Sequence, residues 1–146
     1  MSDHRITKLE TYWPYQAVVL ADLVSRHTNL ILKSNGSLNL SQWRVLAAIA
    51  NQQGCTSAQV VAITPMDKGI VSRATSTLVK NGLVSKKEDP SDRRQSQLFL
   101  TKDGRLEYNS INSALRKAIK QVKTPETFNE NMLKQIAGML NMMSVE

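Results

Sequence analysis

Residues 64–101 read TPMDKGIVSRATSTLVKNGLVSKKEDPSDRRQSQLFLT. Val71, Ala74 and Leu78 recur at helical spacing and define one buried face. Gly69, Ser72, Arg73 and Ser76 share the opposite face, with Lys80 a turn further on. After Asp67 that face carries no acid. Asp67 suits the N-cap, where a side-chain oxygen and a negative charge are both favoured. Gly82 suits the C′ position, which needs a left-handed backbone, and Leu78 and Leu83 stand where a Schellman motif places its apolar contact. Residues 83–88 then lead into the turn cluster Asp89-Pro90-Ser91-Asp92, followed by Arg93 and Arg94. Leu98 and Leu100 alternate with Gln97 and Phe99, as in a half-buried strand. The stretch reads as a short helix running into a β-hairpin with arginines at its tip.

Such a layout has a physical use. A narrow helix with small outward side chains enters a DNA major groove, where Arg and Ser meet base edges. Arginines on a hairpin tip reach phosphates or a minor groove. A solvated helix face and an ordinary charged hairpin would use the same residue types. The residues before the helix favour DNA. Thr56 and Gln59 form a T-x-x-Q capping box for a short helix, and Cys55 and Val60 stand at its hydrophobic-staple positions. Pro65 separates that helix from the next. Two helices joined by a tight turn, the second with a polar outward face, make the helix-turn-helix pattern. The expected DNA-binding residues are Lys68, Gly69, Ser72, Arg73, Ser76, Lys80, Arg93 and Arg94.

The charge agrees. The chain has 146 residues and a net charge of +7, which favours an anionic partner. Residues 55–105 hold nine Lys/Arg against five Asp/Glu, so +4 of the excess lies on this stretch. The single cysteine cannot close an internal disulfide and suits a reducing cytoplasm. At its staple position Cys55 reads as a small buried hydrophobe; a redox-sensing thiol is the alternative. No apolar run reaches the ~20 residues needed to span a bilayer, and the N-terminus has no signal-peptide core. There is no metal-ligand spacing, phosphate-binding glycine loop or nucleophile–histidine pairing, so no enzyme, metal or cofactor is expected.

On either side of the winged stretch, the chain reads as helices. Residues 1–13 are polar and expected to be loose. Pro14 fits the first turn of a helix carrying Leu20, Leu23, Val24, His27, Leu30 and Ile31 and ending near Lys33. His27 on that apolar side reads as a packed residue. Ser34-Asn35-Gly36-Ser37 is a turn. Ser41 is the expected N-cap of the next helix, with Leu40 and Val45 as its staple. Trp43, Leu46 and Ala50 follow at helical spacing, and Trp43 reads as core, with ligand stacking as the alternative. Thr101 caps a helix from Lys102 to about Val122. Thr124 and Pro125 open a last one, with Pro125 at its first position, lined by Phe128, Met132, Leu133, Ile136, Met139, Leu140 and Met143. The terminal helices are more apolar than a small winged domain can cover. Their expected partner is the same surface on a second copy, closing a two-fold dimer. In the alternative, a monomer, they close on each other.

These residues resemble the MarR-type winged-helix transcription factors. The wing signature D-x-R-x-x-x-L-x-L-T is met by Asp92, Arg94, Leu98, Leu100 and Thr101. Asp67-Lys68 with Val71-Ser72-Arg73 is similar to the opening of that family's recognition helix. Leu40 with Gln42-Trp43-Arg44-Val45-Leu46 is similar to its second helix, and Pro14-Tyr15 with Val24-Ser25-Arg26 to a first-helix pattern seen in one branch of it. Gly69 departs from the serine or other small residue common there. Asn129, Asn131 and Asn141 make the last helix more polar than usual. The resemblance implies a mainly α fold with a small β-hairpin wing, a winged helix-turn-helix at 40–101 flanked by dimerisation helices at 1–34 and 102–146. It implies a cytoplasmic homodimer gripping a pseudo-palindromic double-stranded operator, most often as a repressor, with Arg94 in the minor groove and Asp92 orienting it. It also implies release by a small aromatic or phenolic ligand, for which Tyr15, His27 and Trp43 are candidate lining residues. A constitutive DNA-binding protein, or one released by a protein partner, is the alternative.

Overall fold

The computed structural model describes residues 6–92, 95–122 and 124–144. A 3-10 turn, Leu9–Thr11, leads into α1, Trp13–Asn35. Then come α2 Leu40–Asn51, β1 Cys55–Thr56, α3 Ser57–Ile63 and α4 Lys68–Lys80. β2 Val84–Glu88 and β3 Ser96–Leu100 form the wing, and α5 Lys102–Gln121 and α6 Glu126–Met143 complete the order. The fold is therefore mainly α, with a helix-turn-helix (α3 and α4) followed by a β-hairpin. Two compact units make up the chain, one ending at Ala114 and the other beginning at Leu115, so that α5 runs through the division.

The first unit has a continuous core. Leu32 of α1, Leu46 and Ile49 of α2, Val60 of α3, Val71 and Leu78 of α4, Leu98 of β3 and Ile111 of α5 are all fully buried. Trp43 is buried too and stacks on Tyr108 of α5, with ring centroids 5.5 Å apart and planes 13° from parallel. Trp43 thus has the core role its spacing suggested. Thr75 is the buried polar residue of α4, and its hydroxyl is satisfied by donating to the Val71 carbonyl at 2.7 Å.

Several boundaries differ from the sequence reading, each for a local reason. Asn39, not Ser41, caps α2: its side chain accepts from the Gln42 amide at 2.9 Å, and the Gln42 side chain accepts from the Asn39 amide at 3.1 Å. Ser41 has Arg44 three residues on, which cannot return such a bond. The staple around the true cap is Leu38 with Trp43, both buried. α1 continues through Ser34 and Asn35, whose side chains donate back to the Leu30 and Ile31 carbonyls. Pro125 is the residue before α6 rather than its first, and its carbonyl accepts from the Phe128 amide. The Leu9–Thr11 turn orders part of a stretch expected to be loose. It is held by Thr11 and by the Gln16 side-chain amide, which donates to the Leu9 carbonyl at 2.9 Å. His27 is exposed in this single chain, not packed.

The wing is a three-stranded antiparallel sheet in the order β1-β3-β2, not a bare hairpin. Cys55 pairs with Leu98 and Thr56 with Gln97, while Val84 pairs with Leu100. Just ahead of β1, the Gly54 amide donates to the Leu98 carbonyl at 2.8 Å and the Gln53 side chain accepts from the Leu100 amide at 3.0 Å. Gly54 has φ +82°, a left-handed conformation, and a Cβ there would meet the Phe99 ring at 3.3 Å. Phe99 is half-buried, and the Lys87 ammonium, on the same face of the sheet, lies over its ring at 5.1 Å from the centroid.

Candidate nucleic-acid interface

α4 has the geometry its sequence called for at both ends. The Asp67 carboxylate accepts from the Ile70 amide at 2.8 Å, capping the N-terminus. At the C-terminus, Leu83 donates to Leu78 at 2.9 Å and Gly82 to Val79 at 3.0 Å, with Gly82 at φ +73°. That pair of bonds is a Schellman motif. Val71, Ala74, Thr75 and Leu78 are buried, whereas Lys68, Gly69, Ser72, Arg73, Ser76 and Lys80 are all exposed. The six expected helix residues are thus together on one open face. Nothing acidic follows Asp67 on that face, so the positive field of Lys68, Arg73 and Lys80 is unopposed along the helix.

An open recess of about 250 Å³ lies beside this face. Asn39, Ser41 and Gln42 from the start of α2 and Ile70, Arg73, Ala74 and Thr77 from α4 line it. Two sides are therefore a helix start and an arginine, surroundings that suit an anionic group. Sequence spacing did not bring Asn39 and Arg73 together, because the contact depends on how α2 packs across α4. Tyr15, His27 and Trp43 do not line this recess. Tyr15 and His27 are exposed on α1, and Trp43 is in the core.

At the wing, Asp89 organises the turn. The Ser91 hydroxyl and amide both donate to one Asp89 carboxylate oxygen, at 2.6 and 2.9 Å. The hydroxyl bond first and the amide bond second hold the Asp89 carboxyl below its ordinary pKa. The Asp92 amide donates to the Asp89 carbonyl at 3.2 Å and the Gln95 amide to the Asp92 carbonyl at 3.1 Å. Arg93 and Arg94 lie outside the described residues. Cys55 is buried in β1, and its desolvation pushes the thiol pKa up. Among the described residues, no cluster of His, Cys, Asp or Glu could hold a metal ion, and no helix is long and apolar enough to cross a membrane.

A model of the MarR family matches residues 37–95, the span from the start of α2 to the wing tip. Over those residues the chain is similar to that family. Solved structures of MarR regulators share the fold over nearly the whole chain. A MarR-family transcriptional regulator from Silicibacter pomeroyi is 23% identical, with a TM-score of 0.81 over 95% of this chain and 94% of that one. Another from Rhodococcus sp. RHA1 is 20% identical, with a TM-score of 0.84 over 96% and 100%. CouR from Rhodococcus jostii RHA1, solved bound to p-coumaroyl-CoA, is 22% identical, with a TM-score of 0.81 over 97% and 100%. No curated protein sequence matches the chain.

Proposed function

We propose that the protein is a sequence-specific double-stranded DNA-binding transcriptional regulator, acting as a dimeric repressor released by a small aromatic or phenolic ligand. The observation that carries this reading is the face of α4, where Lys68, Gly69, Ser72, Arg73, Ser76 and Lys80 are exposed together opposite a buried stripe. In it, α4 lies in the major groove with Arg73 on base edges, and the start of α2 and the wing, with Arg93 and Arg94, meet the backbone and minor groove. Asp92 orients the wing arginine.

The dimer part rests on uncovered apolar surface. On α1, Val18, Leu20, Leu23, Val24 and Leu30 are exposed, and on α6 Leu133, Ile136 and Leu140 are. Apolar side chains left uncovered on a helix in such numbers mark an interaction site. Residues 1–34 and 102–146 supply it, leaving 40–101 to bind DNA. The ligand part rests on proteins of similar structure: CouR was solved with p-coumaroyl-CoA, and the DNA binding of BpsR from Bordetella bronchiseptica is regulated by 6-hydroxynicotinic acid.

Selection of duplexes from a randomised pool, followed by affinity measurement, tests the proposal. Enrichment of a pseudo-palindrome bound far more tightly than scrambled duplex is expected. Recovery of no preferred sequence would overturn it. Addition of phenolic and heteroaromatic acids, free and as CoA thioesters, then tests the effector: release by any of them supports it, and undiminished binding with all of them leaves the constitutive regulator as the better reading.

A further inference from the structure

The end of the recognition helix is bonded directly to the start of α5. The Thr101 hydroxyl donates to the Gly82 carbonyl at 2.6 Å, and the Thr101 amide donates to the Leu83 carbonyl at 3.0 Å. The same hydroxyl oxygen accepts from the Gly104 amide at 3.0 Å, capping α5. Gly82 and Leu83 are the two residues that close the Schellman motif of α4. One side chain therefore serves two helix ends. Gly104 is buried, and a Cβ on it would come within 1.9 Å of the Leu83 carbonyl oxygen. The backbones of α5 and of the α4 terminus meet too closely there for any residue but glycine.

We propose that Thr101 is a positioning residue that locks α4 to α5, so that the direction of the recognition helix is set by α5. The inference rests on the DNA-binding reading above. A hydroxyl bonded on both sides has a fixed rotor, and three hydrogen bonds around one residue leave little freedom to swing α4 while α5 stays still. The Leu98 and Leu100 positions on β3 feed the same joint, since β3 ends at Leu100 immediately before Thr101. In a dimer built through the helices around the winged segment, such a lock fixes the separation of the two recognition helices. Half-site spacing, and not only half-site sequence, then depends on Thr101.

Thr101→Val keeps the shape and removes both hydroxyl bonds; Thr101→Ser keeps both. Duplexes selected by the parent are rebuilt with two base pairs inserted between half-sites. The parent and Thr101→Ser are expected to lose at least about tenfold in affinity on insertion, and Thr101→Val less than about threefold. A merely structural threonine would lower thermal stability and leave the spacing dependence as in the parent, which would overturn the proposal. So would Thr101→Ser behaving like Thr101→Val. Amide exchange tests the joint without DNA and without relying on a variant that folds. In the parent, Leu83, Thr101 and Gly104 are expected to be protected to within about tenfold of the buried α4 residues Thr75 and Leu78; faster exchange at these three sinks the lock. If the parent selects no duplex yet these amides are protected, the DNA reading has failed, and the proposed control of spacing fails with it.

Discussion

The guanidinium Nη1 of Arg73 lies 3.5 Å from the point where a Cβ on Gly69 would stand. Arg73 thus turns back along the exposed face toward the helix start, over a residue with no side chain. The same Cβ would sit 3.3 Å from the Asp67 carboxylate oxygen that caps the helix. A glycine near the start of a helix costs up to about 1 kcal/mol relative to alanine, and its retention on the groove-facing side fits a need for space. Gly69→Ala should therefore leave the thermal midpoint unchanged or slightly raised while weakening binding to the selected duplex by about fivefold or more. Calorimetry and fluorescence anisotropy on one preparation check both halves. Equal affinity in parent and variant would show that the space is not used.

The α2 cap can be tested by a matched pair. Asn39 makes both bonds of a capping box with Gln42, and Ser41 makes no capping bond to α2. Asn39→Ala should cost about 1 kcal/mol of stability, as N-cap deletions do, and Ser41→Ala a few tenths at most. Urea unfolding of the two variants checks this; a larger loss from Ser41→Ala would contradict the assignment.

That correction indicates how much was legible in the chain. Both Asn39 and Ser41 are capping residue types, and the choice between them lay in Gln42, three residues after Asn39, a signal present in the sequence. The ends of α4 were readable because the bonds by which Asp67, Gly82 and Leu83 close the helix are all local. β1 was not readable: two residues cannot show an alternation, and Cys55–Thr56 pairs with β3 only because Gly54 turns left-handed and Gln53 hooks the Leu100 amide. The outward face of α4 followed from periodicity. The recess joining Asn39 and Arg73 did not, since it arises from helix packing between residues 34 positions apart.

The wing turn should respond to acid and to nothing near neutrality. Asp89 has a folded pKa below its ordinary value because Ser91 donates twice to the carboxylate. A depressed acid contributes order that is fully present above the ordinary carboxylate pKa and is lost as pH falls through the folded one. The Ser91 amide resonance should therefore be constant from pH 7 down to about 5 and shift only below the usual aspartate range. Asp89→Asn should abolish that titration. A Ser91 midpoint at or above the ordinary aspartate value would show that the two bonds do not favour the charged carboxylate.

Cys55 should be slow to react. It is buried in β1 opposite Leu98, and burial raises its thiol pKa, so little thiolate exists at neutral pH. Labelling by a disulfide reagent at pH 7 should be at least about tenfold slower in the folded protein than in urea. Rapid stoichiometric labelling of the folded chain would reopen the redox reading.

The last prediction separates reading from holding. Arg73 faces outward at the middle of α4 and borders the recess, whereas Lys68 and Lys80 stand at the two ends of the same face. In a major groove, a central arginine reaches base edges, and an arginine bidentate to guanine is worth about 1–3 kcal/mol of discrimination. Lysines at helix ends lie nearer the phosphate ridges and act as point charges there. Arg73→Ala should thus bring selected and scrambled duplexes within a few-fold of one another. Lys68→Ala and Lys80→Ala should weaken both equally and keep the preference. Salt provides the independent check. Seven Lys/Arg lie between Lys68 and Arg94 in each subunit. With about six to eight phosphates neutralised by a dimer, log K should fall against log salt with a slope of roughly −5 to −7. Each lysine variant should reduce that slope by about one to two, counting both subunits, whereas Arg73→Ala should change it by less than one. A reversed pattern, with specificity lost at the lysines and slope lost at Arg73, would mean that α4 lies across the backbone rather than in the groove.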